Sequence, residues 1–283
     1  MFQLFPNTMK ITESNHSISR RTIPLTIVLK FIFISTFFLF LAFSSTHANA
    51  FQFSDWDMIL KKHVKPDLID GVSLNTVDYG KLKLDPIFHQ LENNLNSFPL
   101  SKLRTNKEKL SFWINVYNIF AVKVVTDNYP LESIKDVGGL FKSVWKIKAG
   151  TIDNKKYTLD EIEHQILRKM GDPRIHTAIV CASISCPDLA TEAYTPEKLD
   201  EQLDKQMKVF LSNPSKGMRI DAKRKHPKIH LSLIFDWFKE DFKSNGGVLN
   251  FIKPYVLPKY KQALNNPDHS ISYMHYNWSL NGS

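Results

Sequence analysis

The residues of this chain best suited to chemistry are two cysteines and the histidines near them. Cys181 and Cys186 are the two cysteines of the 283-residue sequence, and His176 precedes them. A cysteine acts as a nucleophile when a base removes its proton and a third group orients that base. The stretch therefore leaves three alternatives for the thiols: core packing, a disulfide or a reactive site.

Cys186 is the candidate nucleophile of the pair. An apolar run over residues 175–182 predicts a central strand buried on both faces, and Cys186 lies in the loop beyond it. A loop that follows a rigid element often carries functional groups, so we expect this thiol to be exposed. Cys181 falls inside the predicted strand, where a cysteine is typically a small apolar filler.

Two histidines are candidate bases for a thiol. His164 lies on a predicted helix over residues 158–170, with Glu163 beside it as the third catalytic residue. Adjacent residues of an α-helix diverge by ~100°, so Glu163 and His164 are not expected to point at one atom. His176, on the predicted strand, is the second candidate base and also a candidate binding residue.

Polar residues on predicted helices are further candidates for binding. Residues 105–127 begin with a capping box and are apolar on all sides, which predicts a fully buried helix. Asn115 and Asn118 lie on one face of it, and buried amides must be hydrogen-bonded. We expect them either to clamp a neighbouring loop or to form a binding site together with His176 and Arg168.

Other kinds of site lack a signature in this sequence. The histidines and cysteines do not have tight zinc-ligand spacing, and neither a G-x-S-x-G motif nor a glycine-rich phosphate loop occurs. The sequence therefore predicts no metal and no other cofactor.

The first 50 residues predict an export signal. Basic residues precede an apolar run of about 13 residues, Phe31–Phe43, and Ala48-Asn49-Ala50 fits a small-x-small cleavage site. Cleavage there would start the mature chain at Phe51 and place it in the periplasm or outside the cell. An uncleaved membrane anchor is the alternative, although the run is short for a span of ~20 residues. In an oxidising compartment the two thiols could pair, with a stabilisation on the order of 2 kcal/mol.

The net charge of +9 does not indicate a nucleic-acid site. Part of the charge belongs to the predicted leader. The run Lys223–His226 lacks interleaved aromatic residues, so it is expected to be an exposed turn. We predict no nucleic-acid partner, and the partner stays open between an envelope component and a peptide ligand.

The order of predicted elements favours a single α+β domain over residues 51–283, without a repeat or a low-complexity segment. The predicted architecture is a mixed or antiparallel central sheet packed by several helices, one of them fully buried. Besides the elements above, the pattern predicts helices over 51–65, 85–95, 195–211, 233–242 and 248–256, an extended stretch over 72–79, hairpins over 144–157 and 218–231, and a strand over 271–280.

Five segments in order resemble one family: SFWINVYNIF, LDEIEHQILR, DPRIHTAIVCASISCPDL, LSLIFDWFKEDF and YNWSLN. By these segments the chain is similar to the domain-of-unknown-function family 547, found in bacterial and plant proteins, over about residues 56–281. The resemblance implies no activity. It points to these matching positions: Asn115, Tyr117, Asn118, Glu163, His164, Arg168, His176, Cys181, Asp236, Trp237 and Trp278.

Two comparisons with the family pattern affect the candidate residues. Asn277 stands where the closing motif commonly has an aspartate, which puts an acid role there in doubt. Plant members of the family tend to lack a cysteine matching Cys186, which argues against a general role for that thiol.

Two functions are compatible with the sequence. The aromatic-rich motifs and the lack of a complete catalytic signature favour a non-enzymatic binding module of the cell envelope. The alternative is a thiol-dependent hydrolase or transferase acting on peptide or amide bonds, with Cys186, His164 and Glu163 as catalytic residues. The position of the histidine rings relative to the thiols distinguishes the two functions.

Overall fold

The computed structural model describes residues 50–139, 142–221 and 226–283. In these residues the α-helices are α1 (Ser54–His63), α2 (Tyr79–Leu82), α3 (Pro86–Ser97), α4 (Asn106–Asn128), α5 (Leu199–Ser212), α6 (Ile234–Trp237), α7 (Val248–Ile252) and α8 (Lys261–Asn265). The strands are β1 (Val64–Ile69), β2 (Val72–Val77), β3 (Lys148–Ile152), β4 (Lys155–Thr158), β5 (Met218–Asp221), β6 (Lys228–Leu231) and β7 (Ser270–Tyr273). A π-helix spans Glu161–Leu167, and 3₁₀-helices span Leu100–Lys102, Ile134–Val137, Val144–Lys146, Arg168–Met170, Pro173–Thr177, Lys239–Asn245 and Pro258–Tyr260.

The helix α4 is the centre of the fold, because it is covered on every side. The Thr105 hydroxyl accepts a hydrogen bond from the Glu108 N–H at 3.1 Å, and the Glu108 carboxylate accepts one from the Thr105 N–H at 2.7 Å. Every residue from 110 to 122 is buried. The prediction of a capped and fully buried helix is confirmed.

The strands form three small sheets in the described residues, and the α+β prediction is confirmed. β1 pairs antiparallel with β2 and β3 with β4, and the latter pair is a predicted hairpin. In the third sheet β5 and β6 form the other predicted hairpin, and β7 lies parallel to β6, so this sheet is mixed. The strands of the described residues are thus spread over three sheets instead of forming one central sheet.

Two apolar clusters make up the core, and both contact Cys181. The first surrounds α4 and includes Trp56 and Ile162. The second contains β5, β6 and the helices that follow them, with Ile229 and Phe235 among its buried residues. Cys181 packs against both clusters. The thiol predicted to be a filler therefore lies at the boundary between two cores.

The strand predicted over residues 175–182 is wrong. Pro173–Thr177 is a 3₁₀-helix, which Asp172 caps by accepting a hydrogen bond from the Arg174 N–H at 3.0 Å, and irregular chain follows it. The run is apolar because two core clusters enclose it, and not because it lies between two faces of a layered sheet. Apolar runs of this kind look alike in sequence whatever encloses them.

Other predicted elements also differ in type or extent from those observed, and the helix predicted over residues 233–242 is α-helical only over Ile234–Trp237 and is followed by a 3₁₀-helix. The helix predicted over residues 158–170 is wound as the π-helix followed by a 3₁₀-turn. The strand predicted over residues 271–280 ends at Tyr273. Residues 276–281, called the C-terminal strap below, instead run beside residues 182–186, with an antiparallel bridge between Ser183 and Leu280.

The predicted leader lies outside the described residues except for Ala50, and so do Lys223–Lys225 of the basic run. Among the residues that the structure does describe, no helix is both long enough and apolar enough to span a membrane.

Candidate functional site

A cavity of about 360 Å³ lies beside Cys181, at the boundary of the two cores. Side chains from α4, the π-helix, the segment around residues 176–187, α6 and the C-terminal strap form its wall. The residues of the wall that carry chemistry are Tyr117, Glu163, His164, His176, Cys181, Cys186 and Tyr276. The structure thus brings Cys186, His164, Glu163 and His176, all singled out in the sequence, to one cavity.

Asn118 of α4 positions the segment that carries Cys181. Its Nδ2 donates to the Ala178 carbonyl at 2.9 Å, and its Oδ1 accepts from the Val180 N–H at 3.0 Å. The amide thereby satisfies backbone groups that would otherwise need a neighbouring strand. The expectation that this amide clamps a loop is confirmed, and Asn118 itself does not line the cavity.

Asn115 clamps a second loop in the same way. Its Nδ2 donates to the Tyr194 carbonyl at 2.8 Å, and its Oδ1 accepts from the Tyr194 N–H at 2.9 Å. This loop leads into α5, and Asn115 also lies away from the cavity wall. Both amides therefore act on the site through the backbone that they hold.

The C-terminal strap holds the segment after Cys181 from the other side. The Asn281 N–H donates to the Ala182 carbonyl at 3.1 Å, and the Ile184 N–H donates to the Ser279 carbonyl at 2.9 Å. Ala182 has a φ of +55°, a left-handed conformation that is strained for a residue with a Cβ. The strap therefore fixes a strained turn directly after the Cys181 thiol.

The Cys181 thiol donates a hydrogen bond to Cys186 Sγ, and two hydroxyl groups lie within hydrogen-bonding distance of its sulfur. Its Sγ is 3.0 Å from Cys186 Sγ, 3.1 Å from Tyr276 Oη and 3.2 Å from Ser183 Oγ. The contact with Cys186 lowers the pKa of the Cys181 thiol, burial opposes this effect, and the two hydroxyls reinforce it. Donors around sulfur favour the thiolate over the thiol.

Cys186 is buried, which contradicts its predicted exposure: 2% of the residue is accessible, whereas Cys181 is partly exposed. The Cys181 N–H donates to Cys186 Sγ at 2.8 Å, and both cysteines line the cavity. Burial raises the pKa of the Cys186 thiol well above its usual range. The exposures expected from the sequence are therefore reversed. Cys181, which was taken for a filler, is the partly exposed thiol and has the surroundings that lower its pKa.

His176 belongs to a chain of charge-assisted hydrogen bonds. Its Nε2 lies 2.8 Å from Asp241 Oδ2, and Arg168 holds the same carboxylate through two bonds of 2.7 and 2.6 Å. Burial opposes the charge of Asp241, but the bonds from Arg168 and His176 keep its pKa well below the usual range. Asp241 is thus an acceptor, so Nε2 of His176 carries the ring proton.

The other ring nitrogen of His176 is therefore available for a proton. Nδ1 is buried and has no hydrogen-bond partner among the described residues. The ring stacks on Phe238, with centroids 4.0 Å apart. Burial lowers the pKa of His176, although Asp241 counteracts this effect. The lowered pKa favours the uncharged imidazole, which can accept a proton.

Glu163 is a second titratable group in the wall. Burial raises its pKa to about 7, against an opposing hydrogen bond that Tyr117 donates to it at 3.0 Å. A carboxyl group with this pKa exchanges protons near neutral pH, which is the range that general acid–base catalysis needs. Glu163 also raises the pKa of nearby Cys181 by charge repulsion when it is ionised.

The π-helix lets two adjacent side chains reach one cavity. Glu163 and His164 both line it, contrary to the expectation for an α-helix. Single turns of π-helix occur frequently at functional sites. Nδ1 of His164 accepts a hydrogen bond from Arg168 Nη1 at 3.0 Å, so its lone pair is already occupied by a cation. His164 is therefore less suited than His176 to take a proton from a thiol.

Three tryptophans, Trp145, Trp237 and Trp278, form an aromatic rim on the cavity. Trp237 is 45% exposed and stacks on Trp278 with centroids 5.8 Å apart, and Trp145 meets Trp278 edge-on at 5.6 Å. The lining found in the described part of the chain includes neither lysine nor arginine. The rim therefore suits an apolar part of a ligand.

Asp241, Tyr276 and Ser183 are functional candidates that the sequence did not single out. Asp241 lies in the segment LSLIFDWFKEDF, but Asp236 was the acid that matched the family motif. Asn277, the departure from that motif, uses its side chain to accept a hydrogen bond from the Ser279 N–H at 2.9 Å and does not line the cavity. Contacts between residues so distant in sequence leave no periodic signal.

The described residues contain no group of three or more His, Cys, Asp or Glu side chains arranged to hold a metal ion.

The site and fold define an α+β protein with a thiol-bearing cavity, and one family model matches part of it. Residues 100–211 match the family described as "Protein of unknown function, DUF547". The predicted resemblance is confirmed for this segment, which holds α4, both cysteines and His176, and not for the whole range 56–281. A search of curated proteins and a search of solved structures each found no match to the chain.

Proposed function

We propose that the protein is a thiol-dependent hydrolase or transferase acting on peptide or amide bonds, with Cys181 as the nucleophile. The observation that carries this proposal is the set of three hydrogen-bonding groups within 3.2 Å of Cys181 Sγ. The same cavity holds His176, oriented by a carboxylate. A binding module needs neither an activated sulfur nor an oriented base.

His176 is the general base in this proposal, and Asp241 and Arg168 are positioning residues. Nδ1 takes the proton of the Cys181 thiol, and Asp241 stabilises the imidazolium ion that forms. Arg168 keeps Asp241 ionised and fixes its orientation through two bonds. Glu163 is a second proton carrier, since its pKa of about 7 lets it gain or lose a proton at neutral pH.

The reaction divides into two steps. The Cys181 thiolate attacks the carbonyl carbon, the C–N bond breaks, and the leaving amine takes the proton from His176. Water, or the amine of an acceptor in a transferase, then gives a proton to His176 and attacks the thioester, which releases Cys181. Tyr276 stays protonated, because burial raises its pKa well above the usual range, so it remains a donor beside the reacting atoms.

Acylation of the enzyme tests the proposal. The purified protein is incubated with a panel of peptide p-nitroanilides and amino-acyl thioesters, and intact mass spectrometry detects the adducts that form on the protein. We expect an adduct that maps to Cys181 and decays by hydrolysis or transfer. Cys181→Ser, with an unchanged circular dichroism spectrum, should form none. An adduct on Cys186, or iodoacetamide labelling of Cys181 no faster than a free peptide thiol across pH, would overturn the assignment.

A binding module is the second candidate, and the aromatic rim is the observation that favours it. Trp237 is largely exposed beside a cavity that the tryptophans line. If binding is the whole function, a peptide ligand is retained equally by wild type and by a Cys181→Ala, His176→Ala double variant, and Trp237→Ala loses it. Turnover of that ligand by wild type but not by the double variant would exclude this candidate.

We also propose that the protein acts in the cell envelope, on the basis of the leader that residues 1–50 predict. Edman sequencing of the protein exported by its host should begin at Phe51. A protein retained in the cytosol at full length would overturn this location.

A further inference from the structure

The two thiols of the site are in contact and differ in their exposure. Cys181 is partly exposed and lines the cavity, and Cys186 is buried with its Sγ 3.0 Å from Cys181 Sγ. The backbone also joins them, because the Cys181 N–H donates to Cys186 Sγ at 2.8 Å. Cys181 is therefore the more accessible of the two thiols, and its sulfur contacts that of Cys186.

We propose that Cys181 is a peroxide-modification site and that Cys186 is its resolving thiol, so that oxidation gives a reversible Cys181–Cys186 disulfide. The inference shares the Cys181 thiolate with the proposed function, and it adds a modification that switches the nucleophile off. The groups around Cys181 lower the pKa of its thiol and so favour the thiolate, which is the form that peroxides attack.

The chemistry balances with hydrogen peroxide as the oxidant. The Cys181 thiolate attacks one peroxide oxygen, the O–O bond breaks, and hydroxide leaves and is protonated to water. Cys186 sulfur then attacks the sulfur of the Cys181 sulfenic acid, the S–O bond breaks, and the leaving hydroxide takes the Cys186 proton as a second water. The two thiols lose two electrons, and one peroxide becomes two water molecules.

The local geometry favours this resolution step. The two sulfur atoms have to approach from 3.0 Å to the bond length of about 2.05 Å, which small rotations of two side chains can supply. A turn in which the Cys186 N–H donates to the Ser183 carbonyl at 3.0 Å already brings the chain back toward Cys181. Further oxidation of Cys181 to sulfinic acid is thereby outcompeted.

Intact mass spectrometry of protein treated with a few equivalents of hydrogen peroxide tests the inference. We expect wild type to lose two hydrogens and both free thiols, tandem spectra to link Cys181 with Cys186, and dithiothreitol to reverse the change. Cys186→Ser should instead gain two oxygens at Cys181, irreversibly. Cys181→Ser should leave Cys186 reduced at the same dose, because Cys186 is buried.

The outcomes separate this inference from the proposed function. Wild type that gains oxygens at Cys181 without forming the disulfide, or Cys181→Ser whose Cys186 oxidises at the wild-type rate, overturns the inference. The wild-type spectra decide the matter even if a variant fails to fold. If the disulfide forms but Cys181 is not acylated, the proposed enzyme activity is excluded and the modification site is supported. If Cys181 is acylated but no disulfide forms, the enzyme activity is supported and the modification site is excluded.

Discussion

Cys181 and Tyr276 are 95 residues apart in sequence, and the Cys181 sulfur lies 3.1 Å from the Tyr276 hydroxyl oxygen. The contact exists because Asn118 holds one side of the Cys181 segment and the C-terminal strap holds the other. The groups that lower the pKa of this thiol therefore include a residue from the strap, besides Cys186 and Ser183.

Tyr276→Phe should make Cys181 a weaker nucleophile at neutral pH. The substitution removes one donor to the thiolate, and a hydrogen bond to a charged group is worth about 1.5–3 kcal/mol, so the Cys181 pKa should rise by about one unit or more. The rate of iodoacetamide alkylation as a function of pH measures this shift. Tyr194→Phe is the matched control, since its buried hydroxyl has no hydrogen-bond partner in the described residues. An unchanged alkylation profile for Tyr276→Phe would show that the contact does not tune the sulfur.

Asp241→Asn should impair turnover while leaving thiol alkylation at high pH unchanged. The amide no longer stabilises the protonated imidazole of His176, and general-base catalysis is typically worth about 10²–10⁴-fold in rate. The dependence of kcat on pH, measured with a substrate from the acylation panel, shows the loss. Asp236→Asn is the control, because that carboxylate is partly exposed and pairs with Lys239 at 3.5 Å. Equal activity of both variants would rule out His176–Asp241 as the base pair.

Glu163→Gln should change how stability depends on pH. Burial raises the Glu163 pKa to about 7 from the ordinary value of 4.5 for a glutamate, so between these values the folded protein binds a proton that the unfolded chain releases. The free energy of unfolding of wild type therefore falls as pH rises from about 4.5 to 7, by about 3 kcal/mol from this group. Urea denaturation of both proteins across this range isolates the effect, since the histidine contributions are common to both. Parallel stability profiles would contradict the raised pKa.

Asn118→Ala should destabilise the protein and disorder the thiol together. The change leaves the Ala178 carbonyl and the Val180 N–H without their partner, which costs about 3 kcal/mol in the free energy of unfolding. Urea denaturation measures the cost, and alkylation of Cys181 in the folded protein reports the disorder. On the same helix, Asn128→Ala removes an exposed amide that bonds the Val124 carbonyl at 2.8 Å, and it should cost far less. Similar losses in the two variants would argue against the clamp.

The sequence predicted the elements whose signals are local. The capping box and uniform apolar character of α4, and the paired strands of the β3–β4 and β5–β6 hairpins, depend on neighbouring residues, and these predictions hold. The buried amides also indicated their role, because a buried Asn must find partners. Glu163, His164, His176 and Cys186, which the sequence singled out for chemistry or binding, all line one cavity.

The assignment of roles within the site depended on long-range contacts and could not be predicted. Cys181 looked like a strand residue, since an apolar run is the same whether two cores or two sheet faces enclose it. Asp241 reaches His176 from 65 residues away, and Tyr276 comes from the strap. The exposure of each thiol follows from these packing relationships, and they are properties of the folded chain.

The C-terminal strap also determines when the site forms during synthesis of the chain. A ribosome completes the α4, π-helix and thiol segments well before it adds residues 276–281. Until those residues emerge and dock, Ser185 and Ala182 lack their partners and the Cys181 sulfur lacks Tyr276. In the nascent chain the Cys181 sulfur therefore lacks the contribution of Tyr276 to its lowered pKa, which appears only when the strap has docked.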